Sequence, residues 1–508
     1  MDRRSICALF KSGRLLLSLV MVFLALGISG CGKVWVQVSQ NSTKQWSLPI
    51  QLGETGANAN VQAIAADANY TYVAGWTNGD LVSCNGISAN CTGSSQGTTD
   101  YFVSKYAQNG TWIWTRQLGE TGYNTGAKGV EVDSSGNVYV DGYTGGNLVS
   151  CNGASADCTG TAQGSEDYFI SKYSSAGTWL WTKQLGETGK VTGGYAMSID
   201  SSANVYVTGQ TQGNLPSCGG VSSSCSGSST GSYDYFVSKY TSAGTWVWTD
   251  QLGEASKTTG AYGVAVDSSS NVYVVGTTTG NMPSCGGVPG SCSGSAQGSW
   301  DYFVTKYSSS GAWDWTTQLG ETGKTADAYK IATDSSGNVY VDGNTTGNLV
   351  SCNGVSASCT GSSQGTSDLF ITKYSTTGAW DWTTQLGESG VSTGAADIAI
   401  DGLSNVYITG STSGYLPSCN GVSASCTGSS QGTSDMYMSK YTTNGTWVST
   451  DQLGETGSST SGNRVVITAA YDVFVDGNTT GYLPSCSGLS AECTGSSQGT
   501  SDYYGLKF

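Results

Sequence analysis

The chain has 508 residues, of which 11% are charged, with 21 Lys and Arg against 36 Asp and Glu, 74 Gly, 16 Cys and no His. A net charge of −15 repels phosphate backbones and anionic head groups, which argues against nucleic acid as a partner and against direct electrostatic attachment to a membrane. Without His, Ser-His-Asp and Cys-His machinery is excluded, and a chain rich in Gly, Ser, Thr and Asn with only 6 Pro reads as many short strands joined by turns.

In chain order, residues 1–30 read as a targeting segment. Arg3, Arg4, Lys11 and Arg14 form a positive region, Leu15 to Ile28 an apolar stretch too short for an ordinary spanning helix, and Ser29-Gly30 a small-residue cleavage site. The string Ile28-Ser29-Gly30-Cys31 resembles the lipobox of bacterial lipoproteins. That resemblance implies a diacylglycerol thioether on Cys31, with attachment to the membrane through the lipid alone. An ordinary signal peptide beside an incidental Cys is the alternative. Cleavage would remove four basic residues and one acid, leaving 17 Lys and Arg against 35 Asp and Glu, a net charge of −18. Residues 31–44 are then the lipidated Cys and a short polar tether.

From residue 45 to 508 the chain repeats. Seven Cys pairs with C-x6-C spacing recur every 67 residues: Cys84/Cys91, Cys151/Cys158, Cys218/Cys225, Cys285/Cys292, Cys352/Cys359, Cys419/Cys426 and Cys486/Cys493. A period kept without slippage marks one structural unit duplicated in tandem. In an exported protein such pairs are expected to close small disulfide loops. Metal binding is the rival reading, but two thiolates are too few for a site, no His completes a mixed set, and seven loops leave one over from four-thiolate sites. No cofactor is expected.

The third repeat predicts four antiparallel strands, Tyr195–Asp200, Val205–Gly209, Asp234–Tyr240 and Thr245–Leu252, with a turn at Ser201–Asn204, the Cys218/Cys225 loop, and a turn at Ser242–Gly244. Seven such units make an all-β, seven-bladed β-propeller. A β-helix would need a shorter period, and separate sandwiches more strands per unit. The strings AxxIAVDSSGNVYVxGxT and DYFVSKYSSxGTWxWTxQLG resemble the bacterial SBBP β-propeller repeat of exported proteins; the Cys loop departs from that pattern. The repeats begin in the phase of a fourth strand, at Trp46–Leu52, and end in that of a third, at Asp502–Phe508. The N-terminal strand is therefore expected to close the last blade and remove two exposed edges.

Antiparallel connectivity places the Cys loops and the Gly-Glu segments on one face and the short turns on the other. Seven Glu (Glu54, Glu120, Glu187, Glu254, Glu321, Glu388, Glu455), seven Asp (Asp100, Asp167, Asp234, Asp301, Asp368, Asp435, Asp502) and seven Lys (Lys105, Lys172, Lys239, Lys306, Lys373, Lys440, Lys507) recur identically. Sevenfold identity favours a structural role, carboxylates accepting backbone N–H groups or pairing with the Lys, over a ring of cation sites, because no calcium-loop pattern is present. The Trp pairs Trp112/Trp114, Trp179/Trp181, Trp246/Trp248, Trp313/Trp315 and Trp380/Trp382 are expected to pack between blades rather than to bind carbohydrate.

Positions that vary against this frame are where a ligand site can reside. At the end of strand two they are Trp76, Tyr143, Gln210, Thr277, Asn344, Ser411 and Asn478, expected to face the Cys-loop side and suited to a sugar or peptide. The expectation is a monomeric, lipid-anchored protein of the bacterial cell envelope, at the outer membrane, acting as a binding or adhesion scaffold for a protein or glycan. The alternatives are a carbohydrate-active enzyme (glycosidase or lyase) working with rim carboxylates, or a structural envelope component. No catalytic residue is singled out.

Overall fold

The structure, a computed structural model, describes residues 47–52, 57–81, 91–92, 95–148, 158–159, 162, 164–215, 225–226, 229–282, 292–293, 295–349, 359–360, 363, 365–416, 426–427, 432–468, 471–481 and 501–507. Among these it is all β, and the strands form seven sheets, each with four antiparallel strands in the radial order first, second, third, outer. In the third blade these are Thr192–Ile199, Val205–Thr211, Asp234–Tyr240 and Trp246–Leu252. The targeting segment, Cys31 and the tether lie outside the described residues. So do Cys84, Cys151, Cys218, Cys285, Cys352 and Cys419, and both members of the seventh pair, Cys486 and Cys493. Each expected disulfide thus has at least one partner outside the described residues, and the fold does not address either the lipidation or the bonding of the pairs.

Closure follows the phase of the chain ends. In the seventh sheet Ser47–Leu52 pairs antiparallel with Asp502–Lys507, Leu52 opposite Tyr503 and Ser47 opposite Lys507. The seam is sealed further by Ala59 N donating to Ser501 O at 3.2 Å and by a buried hydrogen bond between the hydroxyls of Tyr106 and Tyr503.

Two features depart from the sequence reading. The first strand begins earlier than expected, at Thr192 rather than Tyr195 in the third blade, and carries a bulge in every copy, here between Gly194 and Ala196. The bulge is possible because the second strand presents a glycine: a Cβ on Gly142 would stand 2.0 Å from the carbonyl oxygen of Gly126.

The second departure corrects the placement of the cysteines. The second Cys of six pairs is not a loop residue as expected but opens a two-residue parallel strand outside the outer strand: Cys91–Thr92, Cys158–Thr159, Cys225–Ser226, Cys292–Ser293, Cys359–Thr360 and Cys426–Thr427. The register is the same each time, with Cys91 opposite Thr115, Cys158 opposite Thr182, Cys225 opposite Thr249, Cys292 opposite Thr316, Cys359 opposite Thr383 and Cys426 opposite Thr450. The physical reason is the outer strand's free edge, whose N–H and C=O groups need partners; the chain at the second Cys supplies them and covers an edge that would otherwise be open.

The tight turns are set by aspartate. Asp133 Oδ1 accepts the N–H groups of Ser135 and Asn137, both at 2.9 Å, and Oδ2 accepts the Asn137 amide at 2.9 Å and the Tyr139 hydroxyl at 3.1 Å. The core lies between blades. One cluster joins Tyr139, Ile170 and Trp181 of the second blade to Met197, Val207 and Phe236 of the third. The inner member of each Trp pair is buried, as expected: Trp114 is 2% exposed, and its Nε1 donates to Ser175 O of the next blade at 3.2 Å.

Neighbouring blades are also joined by tyrosine pairs on the third strands: Tyr101 with Tyr173, Tyr168 with Tyr240, Tyr235 with Tyr307 and Tyr302 with Tyr374. In the next pair Leu369 replaces the first tyrosine, and among the described residues the buried hydroxyl of Tyr441 is left without a partner. A buried hydroxyl contributes only when bonded. Tyr374→Phe should therefore destabilise the protein by about 1 kcal/mol, whereas Tyr441→Phe should be neutral or slightly stabilising, in urea unfolding of the two variants beside the parent.

Candidate functional site

The first strands of successive blades pack side by side around a central channel, whose waist, about 270 Å³, is lined from all seven blades. The seven variable residues at the end of strand two lie at one mouth of this channel. Trp76 is paired with Asn60, Tyr143 with Gly126, Gln210 with Gly193, Thr277 with Gly260, Asn344 with Asp327, Ser411 with Gly394 and Asn478 with Ser461. The mouth is on the side of the long connections, as expected. Six of the seven are half-buried, and Thr277 is buried. Asn344 and Asn478 also clamp the next first strand, Oδ1 of Asn344 accepting from Ala395 N at 2.8 Å and Oδ1 of Asn478 from Val61 N at 3.3 Å.

A second variable set was not singled out from the sequence. The bulge residues Gln62, Lys128, Tyr195, Tyr262, Tyr329, Ala396 and Asn463 stand beside the first set. The rings of Tyr195 and Tyr262 stack with centroids 5.6 Å apart. Lys128 Nζ donates to Gln62 Oε1 at 3.2 Å and lies 5.8 Å from the centre of the Tyr143 ring. The mouth is consequently uneven: aromatic on the first to fifth blades, and built of small hydroxyl and amide residues on the fifth to seventh. A cavity of about 440 Å³ opens on the latter side, lined by residues that include Asn344, Ser411 and Ser434.

Deeper in the channel, charge replaces the repeat's small residues. Lys330, Asp397 and Arg464 occupy the position held by Ala63, Gly129, Ala196 and Gly263 in the other blades. Asp141, Asp342 and Asp476 on the second strands are fully buried. Lys330 Nζ donates to Tyr262 O at 3.0 Å, and Asp342 Oδ1 accepts from Lys330 N at 2.7 Å. Among the described residues neither carboxylate oxygen of Asp141 or of Asp476 has a hydrogen-bond partner. Burial raises the Asp141 carboxyl to about 7. Burial, with Asp397 nearby, raises Asp342 to about 8, and burial, with Asp141 and Asp397, does the same for Glu131. Burial and the Arg464 charge lower Lys330 to about 7. Among the described residues no group of His, Cys, Asp or Glu is arranged to hold a metal ion.

The sevenfold residues are absorbed by the scaffold. Asp100 accepts from Gln96 N at 2.9 Å, Gly97 N at 2.7 Å and the Gln117 side chain at 3.2 Å. Glu120 Oε2 is buried over Gly146, where a Cβ would stand 2.2 Å away. Among the described residues the lysines pair with neither: they serve the opposite rim, Lys105 Nζ donating to Ser175 O of the next blade at 3.1 Å and Lys306 meeting Asp314 at 3.0 Å.

The β-propeller repeat SBBP matches residues 113–148, 180–216, 247–282, 314–349 and 381–416. The chain carries SBBP β-propeller repeats. Each SBBP match starts in the outer strand of one blade and ends just past the second strand of the next, so the repeat straddles blades in the same sense as the chain ends do. Solved structures of similar shape include the WD40 propeller domain of Doa1 (12% identity, 91% of this chain and 96% of that one, TM-score 0.41). Others are an ulvan lyase bound to a GlcA-Rha3S saccharide (12%, 85% and 92%, 0.45) and a gluconolactonase of Xanthomonas campestris (11%, 61% and 78%, 0.29). At these identities and scores the likeness carries nothing about activity. No curated protein matches the chain.

The channel charges generate a pH dependence. A carboxyl whose pKa is higher folded than unfolded, here about 7 to 8 against about 4, adds stability below pH 4 that is lost as pH rises through the folded value. Lys330 has the opposite sense: lowered to about 7, it adds stability as pH rises from 7 towards 10. Thermal unfolding should show the melting temperature falling from pH 5 to 8. Asp342→Asn should flatten that fall, and Lys330→Met should flatten the recovery above pH 8; curves parallel to the parent would show that these groups are not buried in the fold.

Proposed function

We propose that the protein is an exported binding or adhesion scaffold of the bacterial cell envelope, held by lipid on Cys31 and engaging a protein or glycan at the channel mouth on the Cys-loop face. The observation that carries this reading is the distribution of variation. Residues identical in all seven units hold loops and neighbouring blades together. Residues that differ between units converge on one mouth, where aromatic rings, amides and hydroxyls stand half-exposed beside a cavity. Concave sites that combine apolar faces with a few directed polar groups are those that bind ligands. A tether suits this geometry. Fifteen residues separate Cys31 from Ser47, enough chain to reach about 50 Å if extended and to hold the propeller clear of the bilayer.

The test uses the full chain purified from membranes and probed on a glycan and matrix-protein array. Binding should be saturable, and Trp76→Ala with Tyr143→Ala should weaken it at least about tenfold with melting unchanged. Cys31→Ala should leave the detergent phase yet keep the ligand. A ligand indifferent to both mouth substitutions and to others around the channel would show that the site lies elsewhere.

A further inference from the structure

The cavity between the fifth and seventh blades exists because of local departures from the repeat. At the bulge position, where the second to fifth blades carry Lys128, Tyr195, Tyr262 and Tyr329, the sixth carries Ala396. At the end of strand two, where the first three blades carry Trp76, Tyr143 and Gln210, the sixth carries Ser411. Both changes remove bulk at the same place, and the space left is about 440 Å³, within the roughly 300–1,000 Å³ usual for ligand pockets.

Its lining is chemically narrow. Among the described residues no charged side chain lines it, and the aliphatic ones are Ala395 and Ala396. The wall is Tyr329, half-buried, with Asn344 beside it; the remainder is serine, asparagine and glycine backbone. A pocket without a cation offers nothing to a phosphate, sulfate or carboxylate, one without an anion nothing to an amine, and one with so little apolar surface nothing to an acyl chain. Hydroxyl and amide groups beside an aromatic face suit a polyhydroxylated ring, whose C–H face packs on the tyrosine while its hydroxyls replace water at the polar wall. The Tyr195–Tyr262 stack continues the aromatic surface around the mouth, which offers further rings to an oligomer.

We infer that this pocket is a seat for a neutral saccharide, with Tyr329 as the stacking face and the space left by Ala396 and Ser411 as the ring-binding cavity. This rests on the mouth being the ligand site and adds the ligand's class and its place.

The experiment titrates the full chain in detergent, by calorimetry and saturation-transfer NMR, with hexasaccharides of β-1,4-glucose, β-1,4-xylose and α-1,4-glucose, with hexagalacturonate as an anionic counterpart, and with a random-peptide pool. The informative variant is Ala396→Tyr, which restores the residue of the third to fifth blades and so is compatible with the fold while filling the cavity. Tyr329→Leu keeps bulk and removes the aromatic face. At least one neutral hexasaccharide should bind, both variants should weaken it about tenfold or more, and their melting temperatures should match the parent's. Neutral binding that ignores Ala396→Tyr but is lost with Trp76→Ala would overturn the seat and leave the mouth standing. Binding of only hexagalacturonate or peptide, sensitive to mouth substitutions, would overturn the saccharide class. Binding that ignores every mouth substitution would overturn both readings, and binding of none of the probes would overturn this one.

Discussion

Everything else in the molecule depends on the ring being closed by pairing of its two ends. A blade is a four-stranded sheet whose two faces are apolar, and it is stable only when a neighbour covers each face. In an open row the terminal blades would leave a face and a strand edge bare. Pairing Ser47–Leu52 with Asp502–Lys507 puts strands from opposite ends of the chain into one sheet, so the first blade has the seventh as its neighbour. The seam repeats the hydroxyl pair found between other blades, in Tyr106 and Tyr503, and adds a bond of its own, the Asn463 amide donating to Val61 O at 2.8 Å.

Once the ring is closed, sevenfold identity and functional specificity divide the sequence between them. A residue needed at every interface must recur, and the recurring Asp, Lys, Tyr and Trp are consumed by backbone carbonyls, backbone amides and one another. A residue free to differ has to lie where no interface constrains it. That leaves the mouth and waist of the channel, where small residues of the repeat give way to Lys330, Asp397 and Arg464 in the waist, and where the bulge position above it carries Tyr195, Tyr262 and Tyr329 in three blades and Ala396 in the sixth. A symmetric frame thus carries an asymmetric centre, with charges in the waist and a polar cavity on one side.

Fold and closure were legible because they depend on period and phase, which survive changes at single positions. The position of the turn at Ser201–Asn204 was legible for the same reason, while the aspartate that sets it read only as the end of a strand. The strand-two residues were legible as variation, and the structure gathers all seven at one mouth while giving Asn344 and Asn478 a clamping role as well. The bulge residues were missed because reading alternation through Tyr195 hides an extra residue that shifts register. The channel charges were missed for a different reason. Lys330 and Asp397 look like ordinary polar residues in a strand until they are set against the Ala and Gly of other copies, a comparison that the sequence itself permits. The parallel strands that begin at Cys158, Cys225 and their equivalents are two residues long, too short to show any alternation, so spacing alone assigned those cysteines to a loop.

The most direct test of closure compares two truncations of the full chain by hydrogen exchange and thermal unfolding. Removing residues 32–43 takes only tether and should leave protection and melting unchanged. Removing residues 32–52 takes the closing strand as well. It should abolish the slow exchange of 503–507 and cost several kcal/mol, a large share of the roughly 5–15 kcal/mol that holds a domain together. Equal melting of the two truncations, with residues 503–507 still protected, would contradict the closed ring.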